Sequence, residues 1–166
     1  MFYGCSSLVS VDVSSFNTSR VTNMGNMFAS CSSLITLDIS NFDYSSATRV
    51  ANMLYQCTSL VSVDVGNLNL ATNTQSALFF GGCSSLTTIY SAANADLFSV
   101  TALGSDAFAR CESLVGGLGT AFDADQISWK YARVDGLGGK AGYFTPKITV
   151  SYYDPETGTI STPVPY

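Results

Sequence analysis

The five cysteines stand at positions 5, 31, 57, 83 and 111, so successive spacings are 26, 26, 26 and 28 residues. A fixed period of this length marks a chain that repeats one supersecondary unit, and it restricts the fold to an array in which each unit packs on its neighbours. The surroundings repeat as well. Met-Phe-Tyr-Gly-Cys-Ser-Ser-Leu at 1–8 returns as Met-Phe-Ala-Ser-Cys-Ser-Ser-Leu at 27–34 and Met-Leu-Tyr-Gln-Cys-Thr-Ser-Leu at 53–60. It then becomes Phe-Phe-Gly-Gly-Cys-Ser-Ser-Leu at 79–86 and Ala-Phe-Ala-Arg-Cys-Glu-Ser-Leu at 107–114.

Within a copy, Leu8, Val11 and Val13 match Leu34, Leu37 and Ile39, then Leu60, Val63 and Val65. This L-x-x-L-x-L spacing is that of a leucine-rich-repeat strand, with apolar and polar residues alternating as one buried face requires. Before each cysteine the period changes. Val21, Met24, Met27 and Phe28 recur at Ala47, Val50, Met53 and Leu54, a spacing that suits a short helix capped by Thr18 or Ser19. The expected fold is therefore an α/β repeat solenoid: a leucine-rich-repeat array of five strand-helix units with one parallel sheet. Its limits are 1–134, followed by a C-terminal cap and tail at 135–166.

The cap is expected as a β-hairpin, with strands at Trp129 to Val134 and Ala141 to Thr145 around an Asp135-Gly-Leu-Gly-Gly turn. The alternation from Ile148 to Tyr153, before Asp154-Pro-Glu-Thr-Gly, points to a second hairpin or the start of another module. No equivalent cap precedes the first repeat, so the chain is expected to be part of a longer protein.

Stacking places equivalent residues about 4.8 Å apart. Cys5, Cys31, Cys57, Cys83 and Cys111 should form a core ladder of free thiols, because an odd number pointing in parallel has no natural disulfide pairing. Cys5, at the unprotected end, should react most readily. Ser10, Asp12, Thr36, Asp38, Ser62, Asp64, Thr88 and Tyr90 should line the concave face as a candidate binding surface. Stacked carboxylates in that row repel by about 1 kcal/mol per neighbouring pair in water, so something should offset them. The bland reading has them splayed into water, accepting hydrogen bonds from Ser10, Thr36 and Ser62. Two others remain: a surface for a basic protein segment, and a site for an oxygen-loving cation such as Ca²⁺. Tyr131, Tyr143, Tyr152 and Tyr153 could stack on sugars, although hairpin aromatics more often pack.

The Met-Phe-x-x-Cys-Ser-Ser-Leu string, with Val-Asp-Val-Ser-Ser-Phe-Asn-Thr-Ser at 11–19 and Val-Thr-Asn-Met at 21–24, closely resembles the BspA-like leucine-rich repeat over about residues 1–134. The resemblance implies a bacterial protein that is secreted or surface-anchored and associated with adhesion to host proteins, matrix or other cells. The chain departs from the wider repeat pattern where many such proteins place a turn-satisfying Asn, since it has Phe16, Phe42 and Leu68 there. Ser14, Ser15, Ser40 and Asn41 are the groups expected to satisfy those turns instead.

Several function classes recede. Net charge is −5 and the seven cations are scattered, which disfavours nucleic acid and anionic membranes. No apolar run is long enough to span a bilayer, so membrane insertion is not expected. With no histidine, a zinc site and a serine or cysteine nucleophile lose their usual ligand and base, so neither cofactor nor catalysis is expected. The expected function is recognition of an extracellular protein or glycan through the repeat surface, at the cell surface or outside it. The alternative is a structural spacer without a ligand. Five strands would offer a concave footprint of only roughly 300 Å² against about 800 Å² per partner in standard interfaces, so a single array should bind weakly.

Overall fold

The computed structural model describes residues 1–70, 75–95, 97 and 106–147, and the backbone of 152–153 and 160–161. Leu37, Val63 and Ile89 are the middle apolar residues of successive copies, and they stand opposite one another in a parallel sheet. Its strands are β1 (Thr36–Asp38), β2 (Ser62–Asp64), β3 (Thr88–Ser91) and β4 (Phe144–Pro146), hydrogen-bonded in that order. Each step from β1 to β3 is a shift of one repeat, Thr36 facing Ser62 and Ser62 facing Thr88. The apolar middle residue of each strand is buried, as period-two alternation over a one-sided core demands. A second, antiparallel pair joins β5 (Tyr152–Tyr153) to β6 (Ile160–Ser161), in line with the hairpin expected there.

The expected strand-helix array is overturned. Among the described residues the only helices are single 3-10 turns at Trp129–Tyr131 and Leu137–Gly139, and most of the chain outside the sheets is irregular. The segments before the cysteines are instead tandem tight turns. Met27, Ala29 and Cys31 donate their N–H groups to the carbonyls of Met24, Asn26 and Phe28, three residues back. The alternate N–H groups, at Met24, Asn26, Phe28 and Ser30, donate to Arg49, Ala51, Met53 and Tyr55 in the next coil at 2.7–3.0 Å. Copy three repeats this, with Val50, Asn52, Leu54 and Gln56 donating to Gln75, Ala77, Phe79 and Gly81. Left-handed residues at Asn26, Ser30, Asn52 and Gln56 make the reversals. A left-handed L-residue costs about 1–2 kcal/mol, less for Asn, whereas an α-helix would turn its N–H groups beyond the first turn along its own axis and away from the next coil. At about 1 kcal/mol net each, the four inter-coil bonds per step tip the balance to turns.

Thr18 is consequently no helix cap. Its hydroxyl accepts from the Asp43 N–H at 2.7 Å and donates to the Asp43 carbonyl at 3.2 Å, pinning one coil to the next. Asn41 does satisfy the turn beside Phe16, its amide lying 3.0–3.4 Å from the carbonyls of Val13, Ser14 and Phe16.

The sheet also differs from the expected five strands. Copy one is tied to copy two only by Ile35 N–H to the Val9 carbonyl at this level, and Val11–Val13 forms no strand. Copy five begins in step, Val115 N–H donating to Thr87, but then folds back to bridge Ala121. Its place beside β3 is taken by β4, with Ile89 opposite Phe144. The cap is therefore no hairpin: Trp129–Tyr131 is a 3-10 turn and Val134 bridges Phe144 in parallel. Gly116 allows this crossing, since a side chain there would begin 2.2 Å from the Gly142 carbonyl oxygen.

The core runs continuously under these elements. Leu34, Leu60, Leu86 and Leu114 are fully buried, while Leu8 in the end coil is only half-buried. At the far end Trp129 packs against Phe79, Phe80 and Phe108, and Tyr143 against Phe108. Among the described residues no helix is long and apolar enough to cross a membrane.

Candidate functional site

Parallel pairing sets Asp38 directly opposite Asp64 on the open side of the sheet. Each aspartate of the row makes an Asx turn, which for Asp38 and Asp64 ends the strand. Asp12 Oδ1 accepts from Ser14 N–H, Asp38 Oδ1 from Ser40 N–H and Asp64 Oδ1 from Gly66 N–H, all at 2.9 Å. The hydroxyls of Ser10, Thr36 and Ser62 are not the partners of these contacts. For Asp12 the Ser14 N–H holds the carboxyl below its ordinary range. Gly66 is left-handed, and a side chain there would begin 2.4 Å from the Ser40 carbonyl oxygen.

The group that offsets the row is Lys147, one residue past β4. Its ammonium lies 2.5 Å from Asp64 Oδ2. Hydrogen bonding to Asp64 and the fields of Asp64 and Asp38 raise the lysine above its usual value against a smaller desolvation effect. Asp64 is nearly buried but the lysine side chain is 48% exposed, so the pair belongs with partly solvated bridges of about 0–1 kcal/mol. That is comparable with the repulsion it relieves.

Thr36, Leu37, Asp38, Ser62, Asp64, Tyr90 and Lys147 together line a shallow groove of about 300 Å³. Of the residues picked out from sequence, Thr36, Asp38, Ser62, Asp64 and Tyr90 are thus brought together. Ser10 and Asp12 are exposed on the first coil outside the sheet, and Thr88, although in β3, does not line the groove. Lys147 was missed because Ala141 to Thr145 was expected to pair with Trp129 to Val134 in a hairpin, not to join the repeat sheet beside β3. Beside the groove, Val9, Ile35, Val61 and Val115 occupy one repeat position and are each at least 41% exposed. Backbone hydrogen bonds from Ile35 to Val9, Val61 to Ile35, Thr87 to Val61 and Val115 to Thr87 keep this row in step.

The cysteine ladder lies on the inner side. Cys31, Cys57, Cys83 and Cys111 are fully buried free thiols, and each S–H donates at 3.1 Å to the previous coil, to Phe2, Phe28, Leu54 and Phe80 respectively. Burial pushes Cys31 up to about 11 and Cys111 up to about 12. Contact with the Cys57 thiol, then burial, raises Cys83. Such thiols carry almost no thiolate at neutral pH. Cys5 departs from the ladder, since it is exposed.

Asp135 was invisible from sequence as anything but a turn residue. It is buried, and its two oxygens accept from the N–H groups of Leu118, Thr120 and Gly142 and from the Thr120 hydroxyl. Desolvation pushes its carboxyl up, but these hydrogen bonds outweigh it and hold the group below its ordinary value. Tyr143 is also buried, its hydroxyl accepting from Asp123 N–H, so this ring packs rather than presenting itself to a ligand. The Tyr131 ring lies tilted beside it, centroids 5.7 Å apart, and is half-buried. The side chains of Tyr152 and Tyr153 lie outside the described residues. No cluster of three or more His, Cys, Asp or Glu able to hold a metal occurs among the described residues.

A single unit recurring with its turns, thiol and sheet strand in register defines a repeat-built protein. The family model described as "Mycoplasma protein of unknown function, DUF285" matches residues 1–93, and the chain belongs to that family. The matched span holds the first four cysteine copies and ends just after β3. No curated protein matches the chain, and no solved structure does.

Proposed function

We propose that the chain is a binding module of a secreted or surface-held bacterial protein, recognising a protein or glycan through the open face of its sheet. The observation that carries this reading is the groove in which Asp38, Asp64, Tyr90, Lys147 and two hydroxyl residues converge beside a row of exposed aliphatic side chains. Carboxylates, an ammonium and hydroxyls supply polar recognition, while the aliphatic row supplies desolvation, the combination found in recognition surfaces. The resemblance to BspA-like repeats supports the extracellular setting. Net charge and the scattered cations favour such partners over nucleic acid or a bilayer. The proposal includes no catalysis and no cofactor.

The small area of the face supports weak, multivalent binding rather than tight monovalent capture. The test is a panel of immobilised glycans and extracellular-matrix proteins, probed with the chain and with Asp38→Asn combined with Tyr90→Ala. A partner lost by the double variant at unchanged stability supports the reading. One observation favours a spacer: Asp12, Asp38 and Asp64 each serve an Asx turn, so the row has a structural use of its own. If no member of the panel distinguishes the chain from the double variant, the spacer reading stands.

A further inference from the structure

On the turn side, away from the sheet, the residue before each cysteine is left-handed in all five copies: Gly4, Ser30, Gln56, Gly82 and Arg110, with φ between 58° and 77°. The position before that holds Tyr3, Ala29, Tyr55, Gly81 and Ala109. Only the fourth copy has glycine at both, so one coil lacks side chains between two neighbours that carry them. Gln56 N–H to Gly81 at 2.8 Å and Gly82 N–H to Ala109 at 2.7 Å keep all three coils in step. The gap is therefore made by missing side chains and not by splayed backbone. It is a notch of about 240 Å³ lined by Tyr55, Gln56, Leu78, Gly82, Ala109 and Arg110. Its walls are two coil steps apart, about 10 Å at sheet-like spacing.

We propose that this notch binds a single sugar ring bearing an oxyanion. The Tyr55 ring lies against its floor: a side chain added to Gly81 would begin 3.3 Å from a ring carbon and 2.8 Å from Leu78. Gly81 has no positive φ, so glycine here answers to space, not to backbone conformation. An aromatic wall takes the apolar face of a ring, and the exposed Gln56 amide can meet hydroxyls. Arg110 is exposed at the opposite wall with no carboxylate in ion-pair distance among the described residues. A guanidinium fork pairs with a carboxylate or phosphate through two parallel hydrogen bonds. The volume is below that of drug-sized sites and accommodates one ring. Arg110 also adopts a conformation that Gly4 and Gly82 adopt without strain, so its side chain is not there for the turn.

Calorimetric titration of the whole chain with glucuronate, glucose 6-phosphate and glucose tests this. At least one charged sugar is expected to bind about tenfold or more tightly than glucose. Binding of glucuronate alone assigns a carboxylate ligand and binding of the phosphate alone assigns a phosphate, and either keeps the site. Arg110→Gly removes the fork while relaxing the backbone, so it should abolish the preference with melting temperature unchanged or raised. If that variant fails to fold, Gly82→Ser fills the floor in a conformation that Ser30 already adopts, and it should weaken the charged sugar. Equal affinity for glucose, full affinity in the variants, or no saturable binding of either charged sugar overturns the proposal.

Discussion

Coils two and three and the segment from Phe108 to Lys147 hold together by opposite means. In the coils, the recurring contacts have copies: the Asx turn of Asp38 is that of Asp12 and Asp64, and the thiol bond of Cys57 is that of Cys31 and Cys83. In the C-terminal segment the contacts are single. Trp129 reaches back to the Ser76 carbonyl, Asp135 gathers four donors, and Lys147 closes on Asp64. Repetition spreads stability over many small equal terms, whereas the non-repeating segment concentrates it in a few groups. Substitution of a buried group at the end should therefore cost more than substitution in the repeats.

The largest effect is expected at Trp129. Trp129→Ala leaves a cavity among Phe79, Phe80 and Phe108 and removes the indole donor to the Ser76 carbonyl, and should cost about 3–5 kcal/mol in denaturant unfolding. A loss no greater than that of an exposed repeat residue would erase the contrast between the two regions. Next comes Asp135→Ala, at about 2–3 kcal/mol, since it strands buried donors that a carboxylate now holds. The folded carboxyl sits below its unfolded value of about 3.9, so its contribution is complete above that value. It is lost as pH falls through the lower, folded value. Wild-type melting temperature should thus drop in acid more steeply than that of the alanine variant.

At the exposed rim of the coils and at the half-solvated lysine of the C-terminal segment the expected costs are smaller. Asn41→Ala frees three carbonyls at the exposed rim, where water replaces the amide, and should cost about 1 kcal/mol. A cost as large as that of Trp129→Ala would show the coils to be no more redundant than the cap. Lys147→Ala should be smallest, under about 1 kcal/mol and shrinking further with added salt, because the lysine is half in solvent. A salt-independent loss would mean that the pair is buried in solution.

How legible the fold was depends on the same division. The register of the repeat was readable: the 26-residue period, the pairing of Leu37 with Val63 and Ile89, the four buried thiols and the alignment of Asp38 with Asp64 all follow from periodicity. The turn segments were misread as helices because buried residues at Met24, Met27 and Phe28 fit a 3.6-residue period and a chain of three-residue turns equally well. What separates the two is where alternate N–H groups go, and that depends on a neighbouring coil, not on local sequence. The cap was misread for a different reason. β4 displaces the fifth copy's strand through unique crossings at Gly116 and Gly142, and Lys147 enters the site only because β4 does. Nothing in the repeat pattern announces a non-repeating strand.

Stacking in register is tested most directly by counting reactive thiols. Native protein treated with iodoacetamide at mildly alkaline pH and read by mass spectrometry should be modified at Cys5, while Cys31, Cys57, Cys83 and Cys111 react only after denaturation. Modification of Cys57 or Cys83 in the native state at the rate of Cys5 would contradict coils that lie one upon another around a shared interior.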